Sequence, residues 1–370
     1  MRSTSFLLLL MPALLTGCLD EPAATPAEAP PATSISLVSL GQTLFEDTNL
    51  SSNGNQSCAS CHDRTHAFTD PDNTIPVSEG SVPGLFGTRN TPTIAYARFI
   101  PALHQEFAEG DMLWMGGLFL DGREDTLEDQ AKRPFFNPVE MNNADVPDLI
   151  NRLRSSPSAV PFLDVFGADA LDPGKENAAL NQIARALAAF QRTPAFSPFN
   201  SRFDQYLRGE TTLTAQEQEG MAMFVRADKG NCAACHVMSR SANGEPPAFT
   251  DFSYDNLGVP RNTDARFYTS TFADPGLAAN VRVNDPVLNG KFRVPTLRNI
   301  EKTAPYMHNG VFTDLRTIVE FYSTRDSNPQ RWGETEFPDT INRSELGNLK
   351  LSDREIDAIV AFMKTLTDQP

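Results

Sequence analysis

Apolar residues recur at helical spacing in several stretches of this chain. Near the C-terminus Ile356, Ile359, Val360, Met363 and Leu366 share one face, which predicts an amphipathic helix. Ser352-Asp353-Arg354-Glu355 opens it as a capping box, in which the Ser and Glu side chains satisfy free N–H groups of the first turn. Thr214-Ala215-Gln216-Glu217 predicts the same start for a helix that carries Gly220 and Phe224. Ile183, Leu187 and Phe190 stripe a helix over Leu180 to Phe190, and Asp148 to Arg154 reads as another. Gly41-Gln42-Thr43-Leu44-Phe45 reads as a helix near the start.

Alternating strand patterns are few, so the expected class is mainly α. Pro71 to Pro92 and Asn243 to Pro295 are rich in Pro, Gly, Asn and Asp, the composition of turns; they are expected to be long ordered loops. Phe196-Ser197-Pro198-Phe199-Asn200 breaks the helical pattern and marks the expected boundary between a domain over 35–200 and one over 201–370.

Each half contains the same pentapeptide. Cys58-Ala59-Ser60-Cys61-His62 follows the helix of Gly41 to Phe45, and Cys232-Ala233-Ala234-Cys235-His236 follows that of Gly220 to Phe224. C-x-x-C-H is the attachment signature of c-type haem. Two thiols on one turn reach the two vinyl groups of one porphyrin, and the following His is carried to the iron. Helix, polar loop and pentapeptide in the same order read as a weak internal duplication. The alternative is one zinc held by both Cys pairs, or a redox dithiol. Zinc-binding pairs usually lie within ~20 residues of each other, and here far more of the chain separates Cys61 from Cys232. Two covalent c-type haems are therefore expected, with Cys58, Cys61, His62, Cys232, Cys235 and His236 holding them, and with them electron or peroxide chemistry.

The ends and the charge narrow the setting. Met1-Arg2 precedes an apolar run from Phe6 to Leu15, too short for the ~20 residues of a membrane span but suited to a secretory signal. Leu15-Thr16-Gly17-Cys18 looks like a bacterial lipobox, with Cys18 as the lipidated first residue after a signal over 1–17; an ordinary signal peptide with an incidental Cys is the alternative. Both export the chain. An Ala/Pro/Glu tether over 18–34 is too poor in apolar residues to build a core. Leu19 after Cys18 favours the outer membrane, on its periplasmic side. The net charge of −16 argues against nucleic acid, whose phosphates would repel it, and suits a small basic electron donor steered by opposite charge.

Further segments follow in order: Ser57 to Phe68, Arg89-Asn90-Thr91-Pro92-Thr93, Asp121-Gly122-Arg123, Leu127 to Met141, Pro295-Thr296-Leu297-Arg298-Asn299 and Pro305-Tyr306-Met307-His308-Asn309-Gly310. Together they resemble the bacterial diheme cytochrome c peroxidase family, which also contains the diheme enzyme that matures the tryptophan-derived cofactor of methylamine dehydrogenase. The resemblance runs from about Leu40 to Leu366. It implies two cytochrome c-like domains, one haem in each, with a structural calcium ion between them.

The resemblance also implies roles. The Glu of the family's N-P-V-E-M segment moves a proton between the peroxide oxygens, and its match is Glu140; such help is worth typically 10²–10⁴-fold. A Gln sharing that pocket maps onto Gln130. Read alone, each would be an ordinary polar surface residue. Asn90 matches a calcium ligand, consistent with the ion's need for oxygen donors. Many members block the first haem with a His from the loop after the first pentapeptide. Between Ala67 and Thr88 this chain has none, so its first haem is expected to be open. At the second haem the family uses Met or Tyr opposite the proximal His. Ala304 precedes Pro305-Tyr306 here, which leaves Met307 as the expected sixth ligand, with Tyr306 and His308 as nearby donors. Many members relay electrons through a Trp before Asp-Gly-Arg; here that residue is Leu120, so transfer is expected through Phe119, Trp114 or backbone, and more slowly.

The implied activity is reduction of hydrogen peroxide to water with electrons from a small cytochrome c or cupredoxin. Electrons would enter at the haem of His236 and pass to that of His62. Two alternatives remain: a diheme oxidase that modifies a side chain of a partner protein, and a non-enzymatic diheme electron carrier. A homodimer is compatible with the resemblance.

Overall fold

The computed structural model describes residues 33–370 apart from 109 and 242. The expected signal peptide, Cys18 and most of the expected tether lie outside the described residues. In chain order the elements are α1 (Thr33–Glu46), α2 (Cys58–Cys61), β1 (His104–Ala108), β2 (Asp111–Met115), α3 (Leu127–Phe136), α4 (Val146–Ser155), α5 (Ala159–Phe166) and α6 (Glu176–Gln191). They continue with α7 (Arg202–Leu207), α8 (Ala215–Val225), β3 (Tyr254–Asp255), β4 (Phe292–Arg293), α9 (Leu315–Thr324), α10 (Pro329–Trp332) and α11 (Asp353–Lys364). The chain is mainly helical, as its pattern predicts. Backbone of residues 33 and 34, expected in the tether, already belongs to α1.

Each half is organised by one helix crossing. α1 lies on α6, and α8 lies on α11. Both crossings are closer than a side chain permits. A Cβ on Gly41 would stand 2.0 Å from the Ala186 carbonyl oxygen, and one on Gly220 would stand 1.8 Å from that of Ala358. One turn on, aromatic rings lock each crossing edge to face. Phe45 meets Phe190 at 5.5 Å and 65°, and Phe224 meets Phe362 at 5.2 Å and 66°. The weak repeat visible in sequence is a repeat of packing.

Around the first crossing, Leu40, Leu44, Leu149, Leu153, Ile183 and Leu187 form one core. Around the second, Phe224, Val319, Ile356, Ile359, Phe362 and Leu366 form another. Each such side chain contributes about 1.5–3 kcal/mol when fully buried. Leu366, expected on the last helix, lies beyond its end; its N–H bonds back to the Met363 carbonyl at 3.1 Å, so it still closes the core. Both predicted capping boxes form, with the Thr214 and Ser352 hydroxyls accepting from the N–H groups of Glu217 and Glu355.

The Phe196–Asn200 break is a packed seam rather than a free linker. Phe68, Tyr96 and Phe196 form a third cluster there, with Phe199 against it. Beside the seam the fully buried Arg298 and Asp204 of the second half pair, and the Arg298 guanidinium lies over the rings of Tyr96 and Phe199 of the first. A hairpin is among the elements absent from the sequence reading. β1 and β2 form an antiparallel hairpin, with Phe107 opposite Met112. Both side chains are largely exposed, so no buried face imposes the alternation that announces a strand.

Gly41→Ala and Gly220→Ala are each expected to lower the free energy of unfolding by at least about 1–3 kcal/mol, the usual cost of overpacking. A denaturant titration reads this as an earlier midpoint; an unchanged midpoint would mean that the crossings are not tight.

Candidate active site

In the first half, the Ser57 and Ser60 hydroxyls cap the single turn of α2. The chain then reverses: the Asp63 N–H donates to the Thr69 carbonyl at 3.0 Å, and the Phe68 N–H to that of Asp63 at 2.7 Å. This small loop brings the Phe68 carbonyl to 2.9 Å from Nδ1 of His62. A carbonyl can only accept, so the ring proton sits on Nδ1 and the Nε2 lone pair is left for a metal. The second half does the same. His236 Nδ1 donates to the Phe249 carbonyl at 2.9 Å. Phe68 and Phe249 both adopt left-handed backbone, φ 60° and 55°, which aims each carbonyl at its imidazole.

Burial keeps both rings neutral. It holds His62 below the ordinary imidazole range and pushes His236 down to about 4. Burial also pushes the Cys58, Cys61 and Cys232 thiols up to about 12, so they are uncharged at neutral pH. The two pairs do not share a metal, since Cys58 packs on the first core and Cys232 on the second. Uncharged sulfur in an apolar wall, one turn from a neutral His, suits a covalently held porphyrin.

Glu140 stands beside the first pair. Its charge is felt by both Cys58 and Cys61. The turn that carries it follows α3: the Glu140 N–H donates to the Asn137 carbonyl at 3.0 Å. The Ser81 N–H holds the Glu140 carbonyl at 2.7 Å, and Gly80 lets that loop lie close, because a Cβ would meet the Val139 carbonyl at 2.5 Å. Burial raises the carboxyl of Glu140 above its usual range, against the pull of Arg123 and Asn137. Gln130 is half-buried on α3 beside the buried Leu127 and Ala131. His66 is tied to Asp63 at 2.9 Å near the surface, and His104 donates to the Ala102 carbonyl at 2.9 Å at the exposed start of β1.

Beside the second pentapeptide lies a chamber of about 270 Å³, far above the ~10–15 Å³ that one water needs. His236, Cys232, Cys235 and Met307 line it. So does a residue the sequence reading missed. Leu315, Ile318, Val319 and Tyr322 of α9 all face the chamber, at the spacing i, i+3, i+4, i+7 of one helix face. That stripe was visible in the sequence, with Tyr322 as its polar member. Burial and the neighbouring Cys232 and Cys235 hold the Tyr322 phenol well above its usual range. Tyr306 is committed elsewhere, its hydroxyl donating to the Ile300 carbonyl at 2.9 Å. His308 stacks on Phe292 at 4.0 Å and faces Glu336 at 3.8 Å.

The family model of di-haem cytochrome c peroxidases matches residues 36–212. The methylamine utilization protein MauG of Paracoccus denitrificans is 42% identical over 366 residues, covering 94% of this chain and 92% of that one. The cytochrome-c peroxidase IdrP2 of Denitromonas iodatirespirans is 30% identical, covering 90% and 82%. Among solved structures, the diheme peroxidase BthA of Burkholderia thailandensis superposes with a TM-score of 0.80 at 36% identity, covering 90% and 86%. The chain belongs to the diheme cytochrome c peroxidase family.

A diheme peroxidase fold must hold its halves in a fixed relation, and polar contacts cross between them. Arg89 bonds Asp274 at 2.6 and 2.8 Å and Asp121 at 2.6 Å. The Asn90 N–H donates to the His308 carbonyl at 2.8 Å, and its side-chain amide to that of Pro305. Leu120 lines the second chamber, and its carbonyl accepts from the Arg293 N–H at 2.9 Å. Phe119 lies beneath the Arg123 guanidinium at 3.4 Å, while Trp114 sits out on the hairpin opposite Gln105.

Glu140 binds its proton more tightly folded than unfolded, so its burial costs stability once the pH rises above the ordinary carboxylate range of ~4.3. Glu140→Gln is therefore expected to be more stable than the parent at pH 7 and equal to it near pH 3, by denaturant titration at each pH. The reverse order would mean that a cation offsets the buried carboxylate.

Proposed function

We propose that the protein is a diheme cytochrome c peroxidase that reduces hydrogen peroxide to water. The observation that carries this reading is an asymmetry. Two equivalent histidines are pinned in the same way, but the buried carboxyls near them differ: Asp255, on the second chamber, is bound by the Asn342 amide and the Asn256 N–H, whereas Glu140 stands beside Cys58 and Cys61 on the turn after α3. Cys58, Cys61 and His62 hold one haem and Cys232, Cys235 and His236 the other. The haems, when bound, supply one-electron steps and the iron at which peroxide is cleaved. Two electrons and two protons convert one peroxide into two waters. Glu140 takes the proton from the near oxygen and returns it to the far one, and its raised carboxyl range suits both acts. Gln130 orients the peroxide from α3. The first haem would be open: the chain has no His between Ala67 and Thr88, and His66 and His104 are tied to Asp63 and the Ala102 carbonyl near the surface.

Three donors of the kinds that ligate iron line the second chamber without a hydrogen-bond partner among the described residues, Met307, Tyr322 and His308; His308 is stacked flat on Phe292, and of the other two, Met307 or Tyr322 is the sixth ligand there. A thioether would raise the reduction potential; a phenol would leave the centre harder to reduce. Turning the Asn90 amide presents its oxygen beside the Pro305 carbonyl, a start for a calcium site between the halves. Electrons come from a small cytochrome c or cupredoxin. The chain is exported and held at a membrane through lipid on Cys18.

A second reading draws on the 42% identity to the methylamine utilization protein MauG: an open first haem that oxidises a side chain of a partner protein. Steady consumption of reduced cytochrome c with peroxide supports the first reading, and covalent change in a co-purifying protein the second.

Glu140→Gln is expected to slow the reaction with peroxide by about 10²–10⁴-fold in stopped-flow absorption, with both haems in place; an unchanged rate sinks the assigned role. Met307→Ala should abolish a weak absorption band at the red edge of the oxidised spectrum if the thioether is the ligand. If that band is absent in the parent and Tyr322→Phe alone changes the second haem's spectrum, the phenol is the ligand.

A further inference from the structure

The two pinned histidines are joined through the seam by a continuous aromatic and cationic path, and one residue on it can change redox state. His62 holds the carbonyl of Phe68. The Phe68 ring stacks on Phe196 at 4.1 Å and 21°. Phe196 accepts the Tyr96 N–H at 2.9 Å through its carbonyl. The Tyr96 ring lies 5.3 Å from the Arg298 guanidinium, which lies 5.5 Å from the Phe249 ring. Phe249 supplies the carbonyl that holds His236. Tyr96 also lines the second chamber. It is the middle member of that chain of contacts, in a protein with Leu120 before Asp121-Gly122-Arg123.

Tyr96 is 2% exposed, and its hydroxyl is not idle. It donates to both carboxylate oxygens of Asp368, at 3.0 and 2.9 Å, and accepts from the Phe199 N–H at 3.1 Å. A phenol loses an electron far more easily when its proton can leave at the same time, and here the acceptor is already hydrogen-bonded. Asp368 is half-buried, with Asn299 donating to it at 2.8 Å. Charge favours the step as well. Arg298, Asp204 and Asp368 together carry one net negative charge, and removing one electron from the cluster brings it to zero. The equivalent position in the second half is Asn299, also in left-handed backbone at φ 62° against 61° for Tyr96. The fold therefore does not require a phenol at this corner; an amide serves there equally well.

We propose that Tyr96 is a redox relay between the two haem sites. Resting on the peroxidase reading, the oxidant is the first haem once peroxide has oxidised it. Tyr96 gives that centre one electron and gives its phenolic proton to Asp368, leaving a neutral tyrosyl radical and a protonated carboxyl. An electron from the second haem then returns to the ring as the proton returns from Asp368, and both residues are restored. The seam thus acts as a wire as well as a strut.

The test is rapid-freeze EPR on the fully loaded, oxidised protein mixed with hydrogen peroxide, with absorption followed in parallel. A tyrosyl radical is expected, narrowed by ring-deuterated tyrosine. The chain has six tyrosines, so assignment needs Tyr96→Phe, which should abolish the signal. Asp368→Asn, which keeps the phenol and removes the proton acceptor, should lower its yield at least tenfold. Resting haem spectra identical to the parent's would show that both variants fold. If absorption responds to peroxide but the parent gives no tyrosyl signal, or if the signal survives Tyr96→Phe, the relay is overturned and the peroxidase reading stands. If absorption does not respond at all, the peroxidase reading falls, and the relay with it.

Discussion

One hydrogen bond, made twice, determines the rest of the structure. Nδ1 of each proximal histidine gives its proton to a phenylalanine carbonyl at 2.9 Å. Without that bond the imidazole could adopt either tautomer and turn about its own axis. With it, Nε2 is the nitrogen whose lone pair is left free and the ring is held. The bond needs its carbonyl in an unusual place, and left-handed backbone at a non-glycine residue costs on the order of 1–3 kcal/mol. The fold offsets that strain identically in both halves. The Thr93 hydroxyl donates to the Ala67 carbonyl and the Thr296 hydroxyl to that of Ala248, each at 2.6 Å. Those threonines belong to the matching Pro-Thr segments, so the duplication extends well beyond the pentapeptides.

Upon this symmetric frame the halves diverge in what surrounds each histidine. The first receives a buried carboxyl from the turn after α3, the kind of group that moves protons. The second receives a helix face, apolar but for Tyr322, a loop bearing Met307, and the Asp255 carboxyl already bound by Asn342. A peroxidase needs this division between a site that meets an oxidant and a site that only passes electrons. Between them lies a seam built of Tyr96, Phe196, Phe199 and the buried Arg298–Asp204 pair. A buried pair of that kind is costly to break, because either partner alone would be an uncompensated charge, so Arg298 is fixed where its guanidinium meets Tyr96 and Phe199 of the first half.

Much of this was legible in the chain. The pentapeptides, the stripe from Ile356 to Met363, the capping boxes and the glycines of the crossings are local signals, and they carry the helices and the paired cysteines. The resemblance located Glu140, and the structure sets its carboxyl beside Cys58 and Cys61. Tyr322 and Tyr96 were not picked out, because their significance lies in which distant residues they meet. Tyr322 sits in an ordinary helical stripe until α9 is laid against the second chamber. Tyr96 is one of several aromatic residues until Asp368, near the other end of the chain, is brought to its hydroxyl. The hairpin of β1 and β2 left no periodic trace because its apolar pair faces outward.

The measurement that bears most directly on the account is the intact mass of the exported, matured chain, compared with a variant in which Cys232 and Cys235 are both replaced by alanine. Two covalently added haems on the parent and one on the variant are the predicted result. A parent that carries no haem, or a variant that loses both, would contradict the claim that each half holds its own.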